Sequence, residues 1–208
     1  MRTVSVCLVV VLTCAWAQAA TSGSRVDLLD ALNTGDVRAE FYGAGDRAVT
    51  GYIERTADGP QSLEVSPGTQ FWAQRGGIQG QTNLGRVPVD LTETRIAWVT
   101  LTTCCTNIGR PAPTPDDVMV PVRCPDERLG RLLGLPQIGV EPHFGVQVAV
   151  WALANNPRRA QVWQVLWRHE AAAGAPEGRG AFASAALQAG ARLLERIGLE
   201  PAAFRMFG

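Results

Sequence analysis

The apolar positions change rhythm midway along the chain. From about Val37 to Cys105 they recur at every second residue, with glycines as punctuation. Val37-Arg38-Ala39-Glu40-Phe41 alternates, as does the stretch around Val49, Gly51 and Ile53. Leu63 and Val65 lead into the turn Ser66-Pro67-Gly68, and Val87, Val89 and Leu91 share a face. After a turn at Thr92–Thr94, Ala97, Val99 and Leu101 share another. Strict alternation puts one side-chain set on each face of a strand, so these segments predict an antiparallel sandwich or small barrel. Ahead of them, Val26 to Leu32 predicts a short helix stopped by Asn33 and Gly35.

Beyond Cys105 the pattern breaks. Six prolines fall between Gly109 and Pro142, and each removes a backbone donor, which predicts an extended surface connection with a short helix near Asp126–Leu133. A helical rhythm follows. Phe144, Val148 and Trp151 recur at spacings of four and three, with Val146, Val150 and Leu153 widening the apolar face until Asn155-Asn156-Pro157. Val162, Val165 and Leu166 mark another helix ending at Gly174-Ala175-Pro176, and an alanine-rich helix spans roughly 181–197. The expectation is α+β: a β unit over 20–108 with a short N-terminal helix, a proline-rich connection over 109–142, and a helical bundle over 143–208.

The first residues predict export. Arg2, the apolar run Val4 to Leu12, and Ala17-Gln18-Ala19 have the layout of a secretory signal over residues 1–19, cleaved after Ala19. The run is short for a bilayer span, so no stable membrane span is expected after cleavage. Retention as an N-terminal anchor and lipidation at Cys14 are the alternatives. The expected location is secreted, periplasmic or at the cell envelope.

Charge and composition narrow the chemistry. The chain of 208 residues balances 19 basic against 19 acidic side chains. Every basic residue is arginine, so lysine Schiff-base and P-loop lysine chemistry are excluded. The even charge balance argues against a nucleic-acid partner; Arg158-Arg159 alone predicts only a solvated helix start. There is no CxxC, HExxH, GxSxG or complete dinucleotide loop, so no metal and no cofactor is expected. His143 and His169 are the only histidines and predict hydrogen-bonded or solvated side chains. Trp151, Trp163 and Trp167 lie on neighbouring helical turns, and Trp72 and Trp98 in the β unit; these five tryptophans could stack on sugars, but at helical spacing such residues are more often core.

The cysteines and one glutamine carry the remaining signal. Signal cleavage removes Cys7 and Cys14, leaving Cys104, Cys105 and Cys124. Export favours disulfides, and a bond within the adjacent pair would be strained, so one of Cys104 and Cys105 is expected to pair with Cys124. That bond would close a loop of about twenty residues, worth about 3 kcal/mol. One thiol is left over. The strand Ile96 to Cys105 puts Cys105 on the face of Ala97, Val99 and Leu101, and Gln147 interrupts the apolar helix Val146 to Trp151. A buried amide needs a hydrogen bond or a covalent partner.

A Gln-x-Ala-aliphatic-Trp helix, a cysteine at a strand end, and a β unit joined to a helical one resemble the thioester domains of bacterial surface adhesins. The resemblance implies a cysteine thiol condensed with a glutamine side chain, poised to acylate a nucleophile on a surface. By position, Gln147 would be the acyl donor and Cys105 or Cys104 the thiol. With no complete catalytic constellation, the leading expectation is an exported, non-catalytic binding or envelope-associated module for an unknown protein or surface ligand. The alternatives are covalent adhesion through the Cys–Gln thioester and, third, a secreted thiol-dependent enzyme.

Overall fold

A computed structural model describes residues 25–172 and 180–208. The expected signal segment 1–19, Cys14 and the helix stop at Gly174-Ala175-Pro176 lie outside the described residues. Strand β1 (Val26–Asp27) runs directly into helix α1 (Leu28–Thr34). The helix begins two residues later than the apolar pattern suggests because Asp27 is its cap, accepting from the Leu29 N–H at 2.9 Å. Gly35, at φ +76°, ends it in the left-handed conformation that favours glycine.

Strands β2 (Val37–Gly43) and β3 (Ala48–Arg55) form a hairpin in which Phe41 faces Gly51. A Cβ at Gly51 would stand 2.8 Å from the Phe41 ring, so glycine is what lets that ring lie across the pair. Strands β4 (Ser62–Val65), β5 (Gln70–Ala73), β6 (Gln81–Asn83), β7 (Val87–Asp90), β8 (Ile96–Cys105) and β9 (Val118–Val122) follow. Six strands close into an antiparallel barrel in the order β2-β3-β8-β6-β5-β9, and β1-β4-β7 form a separate small sheet. Between a sandwich and a barrel, the chain forms the barrel. The barrel core holds Phe41, Val49, Ile53, Phe71, Leu101 and Met119, to which the small sheet adds Leu63, Val65 and Val89. Phe41 and Phe71 meet edge to face at 5.0 Å.

The proline-rich segment is more than a connection, because β9 lies inside it and closes the ring. Pro121 is tolerated in β9 by register. The alternate backbone groups of a strand point to one side, and Asp117 and Met119 face β2. Pro121 therefore turns its missing N–H toward β2, where the β2–β9 pairing has already ended at Met119.

Helices α2 (Glu127–Leu133), α3 (His143–Ala154), α4 (Arg159–Ala172) and α5 (Ala181–Arg196) build a second core, followed by a 3-10 turn at Pro201–Ala203. Every residue of α3 from Gly145 to Leu153 is buried, which marks it as the central helix. Helix α5 crosses it where small residues face one another. A Cβ on Gly145 would sit 2.6 Å from the Ala189 Cβ, and one on Gly190 would sit 2.5 Å from a Val148 methyl. Trp151 is buried in this core, Trp163 packs at its edge, and Trp167 is exposed. Among the described residues, no helix is long and apolar enough to cross a membrane.

The α3–α5 crossing sets a stability prediction. Gly190→Ala should lower stability by about 1–3 kcal/mol through overpacking. Gly76→Ala, in a loop where an added Cβ meets nothing within 4 Å, should leave it nearly unchanged. Thermal denaturation followed by circular dichroism checks both.

Candidate functional site

The site lies where the barrel end meets α3. Along β8, Leu101, Thr103 and Cys105 face inward, while Cys104 turns outward into the helical core. Strand β3 pairs with β8 as far as Thr102, and the Thr103 N–H still reaches the Arg47 carbonyl at 2.8 Å. There the chain turns back toward β2. Two residues on, the N–H and C=O of Cys105 face the same side with no strand beside them.

Gln147 fills that place. Its Oε1 accepts from the Cys105 N–H at 2.9 Å, and its Nε2 donates to the Cys105 carbonyl at 2.7 Å. The two residues are 42 apart in the chain, and both are buried. The glutamine that breaks the apolar run on α3 thus acts as a one-residue extension of the sheet. Its amide and a strand-end peptide satisfy each other in a place that excludes water.

The Cys105 sulfur has its own partners. It donates to the Asp46 carbonyl at 3.2 Å and accepts from Gln81 Nε2 at 3.5 Å. Gln81 is the cross-strand neighbour of Cys105 on β6, and its Oε1 accepts from the Thr103 hydroxyl at 2.8 Å. Gln81 and Thr103 are fully buried. Sequence reasoning missed both. Alternation placed Thr103 on the Cys105 face and could have found it; Gln81, in a strand of three residues, offers no periodic signal.

Burial governs the thiols. It pushes Cys105 up to about 12, against the lowering effect of the Gln81 hydrogen bond. It also lifts Cys104 well above the ordinary thiol value, with the neighbouring Cys105 adding to the effect, and raises Cys124. An enzymatic cysteine nucleophile needs the opposite, an environment that favours the thiolate.

The disulfide expectation is corrected. Cys104, Cys105 and Cys124 are all free. Cys124 follows β9, which stands opposite β8 in the six-strand ring. Two strands stand between them whichever way the ring is followed. The Cys124 sulfur instead accepts from Gln70 Nε2 and from the Asp126 N–H, each at 3.4 Å. Cys104 and Cys105 do not bond each other either, because they point to opposite faces of β8.

The two histidines meet across one aromatic ring. Phe144 lies 5.4 Å from the His143 ring and 4.9 Å from that of His169, with the Arg47 guanidinium 4.8 Å above it. His169 Nε2 stands 3.8 Å from the Asp46 carboxylate. Among the described residues, neither histidine hydrogen-bonds a cysteine. His143 sits one helical turn before Gln147 and lines a mostly apolar cleft of about 300 Å³ with Leu84, Thr102, Ile138 and Val146. Burial lowers His143 to about 4, helped by the positive charge of Arg47 and by His169, while Asp46 opposes them. Arg158 and Arg159 are exposed at the start of α4. Among the described residues, no group of three His, Cys, Asp or Glu side chains is arranged to hold a metal ion.

Two outcomes are expected. Gln147→Leu should strip both partners from the Cys105 peptide and lower stability by about 2–4 kcal/mol, measured by urea unfolding. His143 binds its proton less readily folded than unfolded, where the value is 6.5. Above that pH both states are neutral and the histidine exerts no effect. As pH falls from about 6.5 toward 4, the unfolded chain gains a proton that the folded one refuses, so stability is lost. Unfolding curves across this window should be flatter with pH in His143→Gln. Comparison of the chain with protein-family models, curated proteins and solved structures finds no match.

Proposed function

We propose that the protein is an exported envelope module that attaches covalently to its target through a thioester between Cys105 and Gln147. The observation that carries this reading is the paired hydrogen bond between the Gln147 side chain and the Cys105 peptide, buried where barrel and bundle meet. Of the residues that resemble an adhesin thioester, the Gln147 side chain and the Cys105 backbone are in direct contact although 42 residues apart in the chain.

The chemistry balances without an oxidant. The Cys105 Sγ–H adds to the Gln147 side-chain carbonyl carbon, the C–N bond breaks, and the thiol proton leaves with the nitrogen as ammonia. For this the sulfur turns from Asp46 and Gln81 toward the amide, and Gln147 Nε2 releases the Cys105 carbonyl. The Cys105 N–H already rests on Gln147 Oε1, where it stabilises the negative charge that develops on that oxygen. Confinement of the two groups supplies an intramolecular advantage that offsets the reluctance of a buried thiol to ionise. An amine or hydroxyl that reaches the thioester takes the acyl group as an amide or ester, and the sulfur returns to the thiol. Burial meanwhile keeps water from competing.

The second reading is a non-catalytic binding module, in which Gln147 only caps the strand end. Intact-mass measurement separates the two. The untreated protein should be lighter by one ammonia than the sequence of its mature chain, while Cys105→Ala and Gln147→Ala should have full mass. Methylamine should add to the native protein, and peptide mapping should find it at position 147. A native protein of full mass that takes up no methylamine overturns the thioester, as does mapping of the adduct to Gln81.

A further inference from the structure

The outer surface of the barrel over β2, β3 and β8 carries an ordered aromatic strip. On β2, β3 and β8 the outward side chains stand in cross-strand rows. The middle row is Glu40, Tyr52 and Trp98; beside it runs Tyr42, Thr50 and Thr100. The rows span three strands, about 10 Å in the hydrogen-bonding direction. Trp98 is 73% exposed, the most solvent-open tryptophan among the described residues. A lone exposed apolar residue is ordinary, but this one belongs to an arranged set.

Glu40 organises the strip. Its Oε2 accepts from the Tyr42 hydroxyl at 2.8 Å and from the Tyr52 hydroxyl at 3.2 Å. These bonds hold both phenol rings at fixed angles, and they raise both phenols above their ordinary value. Tyr52 in turn packs against Trp98, with centroids 5.5 Å apart and planes tilted by 57°. Among the described residues, Glu40 Oε1 has no partner, so an acceptor stays open beside the rings. The Thr50 and Thr100 hydroxyls, 3.3 Å apart, continue the polar edge.

We infer that this face is a carbohydrate-binding platform. A pyranose presents an apolar C–H face and a rim of hydroxyls, and the strip offers a rigid aromatic surface with a carboxylate and two hydroxyls at its border. Rigid aromatic rings bring large contact area with little loss of rotamer freedom. The alternative for aromatics beside a carboxylate is a cage around a cation, but a cage needs rings that leave a space between them. Tyr52 and Trp98 touch and leave none. The platform is independent of the Cys105–Gln147 chemistry and stands whether or not a thioester forms.

The test uses the full chain on insoluble chitin and cellulose, with soluble chitotetraose and cellotetraose followed by tryptophan fluorescence. The native protein should be retained on at least one polymer and show a saturable fluorescence change with its matching oligosaccharide. Trp98→Ala should weaken retention by roughly tenfold or more, and Glu40→Gln should weaken it less. Both variants should keep the native thermal transition, since both side chains are exposed. Failure of the native protein to bind any of the four probes overturns the inference. Equal binding by Trp98→Ala, or an unshifted transition with unchanged affinity in both variants, overturns it too.

Discussion

A side-chain amide that takes the place of a strand anchors the end of the barrel to the central helix. The barrel ladder between β3 and β8 stops before β8 does, and an uncovered peptide at Cys105 would be a buried donor and acceptor without partners. Gln147 supplies both complements from the middle of a helix that is otherwise apolar and small-residue packed. The position of α3 against the barrel is set by that pair of bonds, and α5 is set in turn by its close crossing over Gly145 and Gly190. The order of constraint runs from strand end to central helix to bundle.

Much of this was legible in the residues. The alternation in β2, β3 and β8 is unambiguous because each strand has one face on the barrel core and one toward solvent. Helix α2 was legible through its Asp126 cap, and α3 through its apolar spacing although it is buried along most of its length. The partition of strands between barrel and small sheet was not. Leu63, Val65 and Val89 look like barrel positions because they feed the same apolar core, and only tertiary pairing assigns them to another sheet. Strand β9 was hidden by Pro121, whose cost depends on which neighbour the missing N–H faces.

The site divides along a similar line. Gln147 announced itself as a polar residue in an apolar helix, and its need for a partner followed from the cost of burying an amide. The resemblance named Cys105 or Cys104 as its counterpart, but that the contact runs to the Cys105 peptide could not be read, because a backbone group has no identity in a sequence. The disulfide expectation failed on geometry: Cys124 is near the doublet in sequence but across the ring in space. Gln81, which bonds the Cys105 sulfur, became visible only when β6 was laid beside β8, whereas Thr103 already shared the Cys105 face by alternation. The two faces of the barrel then differ in kind, with a dry polar seam at one end and a wet aromatic strip on one side.

The placement of β9 bears on how the chain reaches this state. Five of the six barrel strands are complete by Cys105, yet β2 and β5 each keep an unpaired edge until residues 118–122 arrive. Without that segment the sheet would be open, with two unpaired margins. Such margins invite pairing with other chains, so the prolines that line the route to β9 have a second use. They are poor ladder partners, and they keep the incoming segment from zipping onto the wrong margin before it reaches its own slot.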